Sequence, residues 1–412
     1  MNRSLQDSPY ACARLAAALT LMTIGGAGMY AMAVALASIQ AEFGVERAAA
    51  SLPYTLTMVG FGLGGIVMGR LSDRFGVIVP VLIGGSCLGL GFIAAGMAPN
   101  LLTFALVHGV LIGFLGCSGT FAPLVADISL WFSRNRGIAV AIVISGNYLA
   151  GAVWPPVLQH FFETSGWRST YIGVGVFSLA ALLPLAWIMR RRPPVIAAAE
   201  SAPATRAMHA RPLGLSPNTL TVLLSAAGVG CCVAMAMPQV HIVAYCGDLG
   251  YGAARGSEML ALMLGCGIVS RLASGWISDH IGGLRTLLLG SVLQGIALLL
   301  FLPFDGLVSL YVVSALFGLF QGGLVPAYAI IIREYFAPSE AGTRTGIVLM
   351  ATLFGMALGG WMSGAIFDFT GSYRAAFFNS IAFNLLNLSI VLWLLHRAQR
   401  NGAMPYPKVQ PL

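Results

Sequence analysis

Apolar residues in this chain come in runs of about twenty, separated by short polar stretches, and twelve such runs can be counted. In the first half they lie at roughly 13–40, 49–69, 77–97, 101–130, 137–161 and 169–189. In the second half they lie at roughly 218–246, 255–277, 284–303, 308–332, 343–367 and 373–395. A helix rises about 1.5 Å per residue, so about twenty residues reach across a hydrocarbon core about 30 Å thick. The pattern therefore predicts an all-α membrane protein with twelve transmembrane helices. Between the halves, Arg190 to Ser216 opens with three arginines and two prolines and continues with Ala, Ser and Pro. It is too polar to span and reads as a flexible linker. The expected organisation is a six-helix bundle at 1–189, a linker at 190–216, a second six-helix bundle at 217–397 and a tail at 398–412. The first run is too long for a signal-peptide core and is followed by no small-residue cleavage site, so it reads as an uncleaved span.

The two halves repeat. Gly69-Arg-Leu-Ser-Asp73-Arg-Phe-Gly76 follows the second run, and Gly275-Trp-Ile-Ser-Asp279-His-Ile-Gly282 follows the eighth, 206 residues later. A looser echo sets Trp131-Phe132, Arg136 and Gly137 against Tyr335-Phe336, Arg344 and Gly346. Duplication of this kind is the trace of carriers built from two halves related by an axis along the membrane normal.

Composition agrees and narrows the class. The chain is 58% hydrophobic and 9% charged, where a soluble domain carries roughly 25% charged residues. A formal charge of +8 would point to nucleic acid in a soluble protein, but here topology accounts for it. With both termini and the linker on one side, that side collects seventeen of the 22 basic residues, the other side has four, and Arg271 is left inside a run. The positive-inside rule then places both termini in the cytoplasm of a bacterial-type inner membrane, with lipid as the surrounding partner and no nucleic acid. The one lysine, Lys408, lies in the tail, so there is no phosphate-binding Gly-Lys-Ser/Thr loop and no lysine for a Schiff base. The seven cysteines show no metal-ligand or redox spacing and read as small packing residues. No HExxH, Gly-x-Ser-x-Gly or carboxylate cluster appears. The reading is a carrier rather than an enzyme, without cofactor or metal, working as a monomer.

Arg271 is the candidate for chemistry. It sits in a run otherwise apolar or small from Ala261 to Ile277, roughly 9–12 Å inside the predicted cytoplasmic end of the helix. A cation there costs on the order of 3 kcal/mol, so it normally faces the bundle interior or an aqueous cavity. Its planar fork gives a carboxylate two parallel charge-assisted hydrogen bonds and stays protonated. The competing readings are snorkelling to the headgroups or a bond to backbone carbonyls. Further candidates for a cavity wall are Tyr30, Asn147 and Tyr148 (with Trp154 after them), Gln239 and His241 beside an expected break at Pro238, Gln321 and Tyr328. For each, a bond between helices is the alternative to substrate contact. His108 belongs to the same group. No acid lies at the expected midplane: Asp127 is near a cytoplasmic end, and Asp248, Asp305 and Asp368 fall at external ends. A coupled proton would ride on the substrate or a histidine, and exchange of one anion for another needs no proton site.

Here the chain resembles the major facilitator superfamily over essentially its full length. GRLSDRFG is similar to that family's signature between helices 2 and 3, and GWISDHIG to its degenerate copy between helices 8 and 9. Val77-Ile78 stand where the family usually has a basic residue. Ser270-Arg271, Gly275 and Ser278-Asp279 resemble the monocarboxylate porter and oxalate/formate exchanger branch, in which a helix-eight arginine engages carboxylate. Gly267 stands where animal monocarboxylate porters often carry an aspartate, and the eleventh run has no second cation. The resemblance implies alternating access for a small organic anion, in the first instance a monocarboxylate, by proton symport or anion exchange. An efflux carrier for hydrophobic drugs is the alternative, and a membrane sensor the less favoured one. It also implies a latch between the halves at Gly69, Asp73, Arg74, Gly76, Asp127, Asp279 and Gly282. In that latch, Gly69 permits close helix contact, Gly76 a positive φ, Asp73 caps a neighbouring helix and Arg74 pairs with Asp127; the alternative is a capped, solvated turn.

Overall fold

The structure, a computed structural model, describes residues 7–132, 136–191, 212–336 and 338–400. Arg134, most of the linker and most of the tail lie outside the described residues, and so do the charges placed on them above. Twelve helices among the described residues are long and apolar enough to cross a membrane. They run Pro9–Phe43, Arg47–Phe75, Ile78–Gly96, Leu101–Trp131, Gly137–Ser165, Trp167–Arg190, Pro217–Asp248, Ala253–Ile281, Gly283–Leu300, Leu307–Tyr335, Glu340–Thr370 and Tyr373–Arg400. They are called the first to twelfth spans below. No strand occurs among the described residues, so the fold is all-α. Large apolar side chains stay exposed on many spans, among them Leu63, Ile66, Leu106, Val110, Leu385 and Leu392. A helix apolar on its outer face as well as its inner one is built for lipid.

Several spans outrun their apolar cores. Gly69 to Phe75, expected as a loop, form the last turns of the second span, and Gly275 to Ile281 do the same in the eighth. Nothing in Arg-Leu-Ser-Asp-Arg stops a helix. The stop is made by Gly76 and Gly282, whose φ values of 85° and 82° are open to glycine and strained for other residues. The repeat extends further than the motif. The second and eighth spans are both 29 residues long and start 206 residues apart. Arg168 Nη1 donates to Gly96 O at 2.9 Å and Arg374 Nη2 to Leu302 O at 3.2 Å, each residue again 206 from its counterpart. In both halves an arginine at the start of the last span caps carbonyls at the end of the third or ninth.

Two compact units divide the chain: residues 1–198 with 239–265, and residues 199–238 with 266–412. In the first, the second and fourth spans come within backbone distance. A Cβ at Gly60 would overlap Gly109 O, and one at Gly64 would overlap Phe114 O. Gly69 behaves otherwise, since a Cβ there would meet nothing, and the expected close contact is absent. The fourth span is π-helical from His108 to Cys117 and turns at Thr120-Phe121 before a last helix, Ala122–Trp131. The first span breaks between helices Pro9–Gly25 and Ala27–Phe43. The carbonyls of that break are met by side chains: Trp154 Nε1 donates to Thr23 O at 2.9 Å, and Cys117 Sγ to Gly25 O at 3.5 Å. Side-chain donors of this kind meet carbonyls that an interrupted helix leaves without their own N–H partners. Arg47, 8% exposed, donates to Asp248 Oδ2 at 2.5 Å and to Gln40 Oε1 at 3.1 Å.

In the second unit the tenth span is the broken one, with helices Leu307–Gln321 and Leu324–Tyr335 on either side of Gly322-Gly323. The break expected at Pro238 is not there. Pro238 lies inside one continuous helix, Pro217–Asp248. A proline removes one hydrogen bond, which a long packed span survives, whereas paired glycines remove the side chains that would hold the turn in register.

Candidate functional site

Arg271 stands ten residues before the end of its helix, about 15 Å along the axis. It is half-buried, and its Nε donates to Gly322 O at 3.3 Å. That carbonyl is available because the tenth span breaks there. The two spans meet closely at this point, where a Cβ on Gly322 would press into Gly267 O and the Ser270 side chain. The bond to a backbone carbonyl, one of the readings weighed above, is therefore real, and it orients the guanidinium. Next to Gly322, Gln321 is fully buried, and neither its amide nitrogen nor its oxygen has a partner among the described residues. Each such atom costs about 1–3 kcal/mol unless water or a ligand meets it.

The predicted residues fall in both units. Tyr30, Asn147, Tyr148, Gln239 and His241 belong to the first; Arg271, Gln321 and Tyr328 belong to the second. In the first unit a shallow open cleft, with room of about 10 Å³, lies at the breaks of the first and fourth spans. Met22, Met29, Phe61 and Phe121 supply its apolar walls, with Thr120 and Asn147 among them. Asn147 is half-buried, and its amide forms no hydrogen bond among the described residues. Tyr30 is 7% exposed, with its ring against Gly151. Tyr148, Gln239 and His241 are buried and do not line the cleft. His108 is fully buried, its Nδ1 3.3 Å from Thr57 Oγ1 and its ring 4.6 Å from that of Phe104.

Tyr328 joins a network that the sequence did not announce. Its hydroxyl donates to Asn387 Oδ1 at 3.0 Å, and Asn387 Nδ2 donates to Ser291 Oγ at 2.7 Å. Asn384 Nδ2 donates to Gln294 Oε1 at 2.9 Å, and Gln294 Nε2 to Cys231 O at 3.3 Å. Four spans are tied in this way, by side chains at most 1% exposed. Tyr328→Phe is expected to cost about 1–2 kcal/mol of stability and leave substrate affinity unchanged. Thermal unfolding and transport kinetics on one preparation check this, and a tenfold rise in KM would make Tyr328 a substrate contact.

The latch residues are arranged differently from the expectation. Asp127 pairs with Arg14 of the first span, Nε to Oδ2 at 2.7 Å and Nη2 to Oδ1 at 2.8 Å, and not with Arg74. Arg74 is exposed and stacks 5.1 Å from the Phe75 ring. Asp73 and Asp279 are exposed and have no ion-pair partner among the described residues. Among the described residues Asp73 does not accept from a helix N-terminus, contrary to the expectation. That role falls in the second unit to Glu334, whose carboxylate accepts the Gly283 N–H at 2.9 and 3.1 Å, where the helix dipole favours an anion. Neither Arg14 nor Glu334 stood out in the sequence, because each reads as one more charge at the edge of an apolar run.

The sequence profile of the Major Facilitator Superfamily matches residues 16–309 and 222–410, two overlapping stretches that cover most of the chain. The chain belongs to that superfamily. Among its relatives is monocarboxylate transporter 13 of Bos taurus, 29% identical over 341 residues, spanning 81% of this chain and 77% of that protein. An uncharacterized MFS-type transporter of Bacillus subtilis is 28% identical over 343 residues, spanning 80% of this facilitator and 82% of its own length. In fold, the facilitator is similar to a solved bacterial homolog of the human lysosomal transporter Spinster, with a TM-score of 0.73 at 15% identity, covering 97% of this chain and 99% of that one.

Proposed function

We propose that this facilitator carries a small monocarboxylate across the inner membrane by alternating access, with both termini in the cytoplasm. The observation that carries the proposal is Arg271, a half-buried guanidinium within the eighth span, oriented by Gly322 O. Its part is to take the carboxylate in a charge-assisted pair, cancelling a charge that would otherwise oppose reorientation in a low-dielectric interior. The monocarboxylate transporters among the relatives support the substrate class. Two buried or half-buried acids within the spans are engaged elsewhere, Asp127 by Arg14 and Glu334 by Gly283. In this reading a coupled proton travels on the carboxylic acid itself, or one anion exchanges for another.

The competing reading, efflux of hydrophobic drugs, finds some support in the apolar cleft of the first unit. With room of about 10 Å³, that cleft is far smaller than the roughly 300–1,000 Å³ of a drug-sized site. Counterflow in proteoliposomes tests the proposal. Labelled short monocarboxylates are expected to accumulate against an internal pool of the same acid, and uptake of lipophilic cations with none of carboxylates would overturn it.

A further inference from the structure

The sixth span ends on two arginines that the first unit leaves uncommitted. Its last turn, Trp187–Arg190, is a 3₁₀ helix, and the chain leaves it in extended conformation at Arg191. Basic side chains near a helix C-terminus normally turn back to the last carbonyls. Here those carbonyls are already met from the first span: Tyr10 Oη donates to Ile188 O at 2.7 Å, Arg14 Nη1 to Ile188 O at 3.4 Å and Arg14 Nη2 to Met189 O at 3.1 Å. Arg190 and Arg191 are exposed, and neither has an ion-pair partner among the described residues. Each lies over an aromatic ring instead, Arg191 4.7 Å from that of Tyr10 and Arg190 5.9 Å from that of Trp187. Trp187 is itself 57% exposed, so a large apolar surface adjoins the two charges. The second unit repeats the corner with its cation engaged. Trp393 and Arg397 lie 206 residues after Trp187 and Arg191, with the Arg397 guanidinium 5.3 Å from the Trp393 ring. Arg397 Nε donates to Leu213 O at 2.8 Å and Nη2 to Gly214 O at 3.2 Å. Among the described residues, no such oxygens face Arg191.

We infer that the corner formed by Tyr10, Trp187, Arg190 and Arg191 binds the headgroup of an anionic phospholipid. A phosphodiester supplies the oxygens that Arg397 finds in Leu213 and Gly214, and a guanidinium takes two of them in parallel. Stacking on the two rings holds the arginines before the lipid arrives, so less side-chain freedom is lost on binding. An exposed tryptophan at the end of a span sits at headgroup level, which sets the arginines beside the phosphates. A zwitterionic headgroup brings its own cation towards two arginines and is the weaker ligand. A free phosphate has no hydrocarbon to lay against Trp187 and gains only the screened attraction of exposed charges. The inference is independent of the transported substrate and of the side of the membrane on which the corner lies.

The test is lipid binding to the full-length protein in detergent, read by quenching of tryptophan fluorescence with brominated phosphatidylglycerol and brominated phosphatidylcholine of the same chains. The signal of this corner is the part of the quenching that Trp187→Phe removes. Phosphatidylglycerol is expected to reach half-quenching at a mole fraction about 25-fold lower than phosphatidylcholine, about fivefold for each arginine. Arg190→Gln/Arg191→Gln is expected to abolish that preference, and each single variant to reduce it about fivefold, which keeps the test open if the double variant folds poorly. Arg397→Gln, at the engaged corner, is expected to leave it unchanged. Equal quenching of the wild-type protein by the two lipids overturns the inference, as does a preference that survives both single variants or falls equally with Arg397→Gln. Displacement of the lipid by millimolar glycerol phosphate would make the corner a site for soluble anions and overturn the lipid assignment.

Discussion

Replacing Arg271 with alanine, glutamine or lysine is expected to weaken substrate binding by at least about 100-fold and to abolish counterflow, while the protein still folds. Two charge-assisted hydrogen bonds are each worth about 1.5–3 kcal/mol, and losing about 3 kcal/mol of that is roughly a factor of 100. Lysine is the informative variant. It restores a charge and can still donate to Gly322 O, but it has no planar fork. The structural cost is read separately. The bond from Arg271 to Gly322 O has a neutral acceptor and is worth about 1 kcal/mol, and its loss in a protein of this size moves the melting temperature by only a few degrees. Binding and melting measured side by side therefore separate the two roles. A lysine variant with wild-type affinity would remove bidentate recognition. An alanine variant that loses binding only because it melts more than about 10 °C lower would make Arg271 a strut of the tenth-span break.

What could be read from the sequence, and what could not, follows from the range of the interactions. Span number, the repeat and the positive φ of Gly76 were legible, because each is encoded within a few residues, whereas the helices run past the expected ends of their apolar cores. The breaks were mislocated for a related reason. Pro238 is the louder local signal, yet the Gly25-Gly26 and Gly322-Gly323 pairs are where helices end. Pairing was not legible. Arg14 and Asp127 are 113 residues apart, and nothing in either stretch points to the other. The expectation chose Arg74 for Asp127 because both lie close to predicted span ends, a criterion Arg14 also meets. The same holds for Gln294, Asn384 and Asn387: one amide in an apolar run looks alike whether it faces a substrate or another amide. Arg271 stood out because its cost in the membrane is large whatever it touches. The carbonyl it touches, exposed by a break 51 residues later, could not be inferred.

The second large effect concerns that misassigned pair. Arg14 is fully buried, Asp127 is 4% exposed, and the guanidinium lies 4.5 Å from the Trp131 ring. Beyond the carboxylate, Arg14 Nη2 donates to Met189 O at 3.1 Å and Nη1 to Tyr10 Oη at 3.2 Å, so one side chain ties the first, fourth and sixth spans together. Removing one partner of a buried pair leaves an uncompensated charge and costs about 3–5 kcal/mol. Arg14→Leu and Asp127→Leu are each expected to lower the melting temperature by about 6–20 °C, taking roughly 2–4 °C per kcal/mol. The double variant Arg14→Met/Asp127→Leu should recover most of that loss, because a well-packed apolar pair is often no worse than the ion pair it replaces. Recovery stays incomplete, since Met189 O loses its donor, at about 1–3 kcal/mol if it is sealed from water. Arg74→Ala completes the experiment. Exposed and stacked on its neighbour Phe75, it should leave the melting temperature within about 1 °C, the usual outcome for a surface change. If Arg74→Ala instead destabilised as much as Arg14→Leu, and the double variant fared worse than either single one, the carboxylate would belong to a latch at the second-span turn. The Arg14 clamp would then be wrong, and the conformational cycle would have to break the Asp127 pair on every turnover. With Arg14 as the partner, Asp127 joins the first and fourth spans within the first unit.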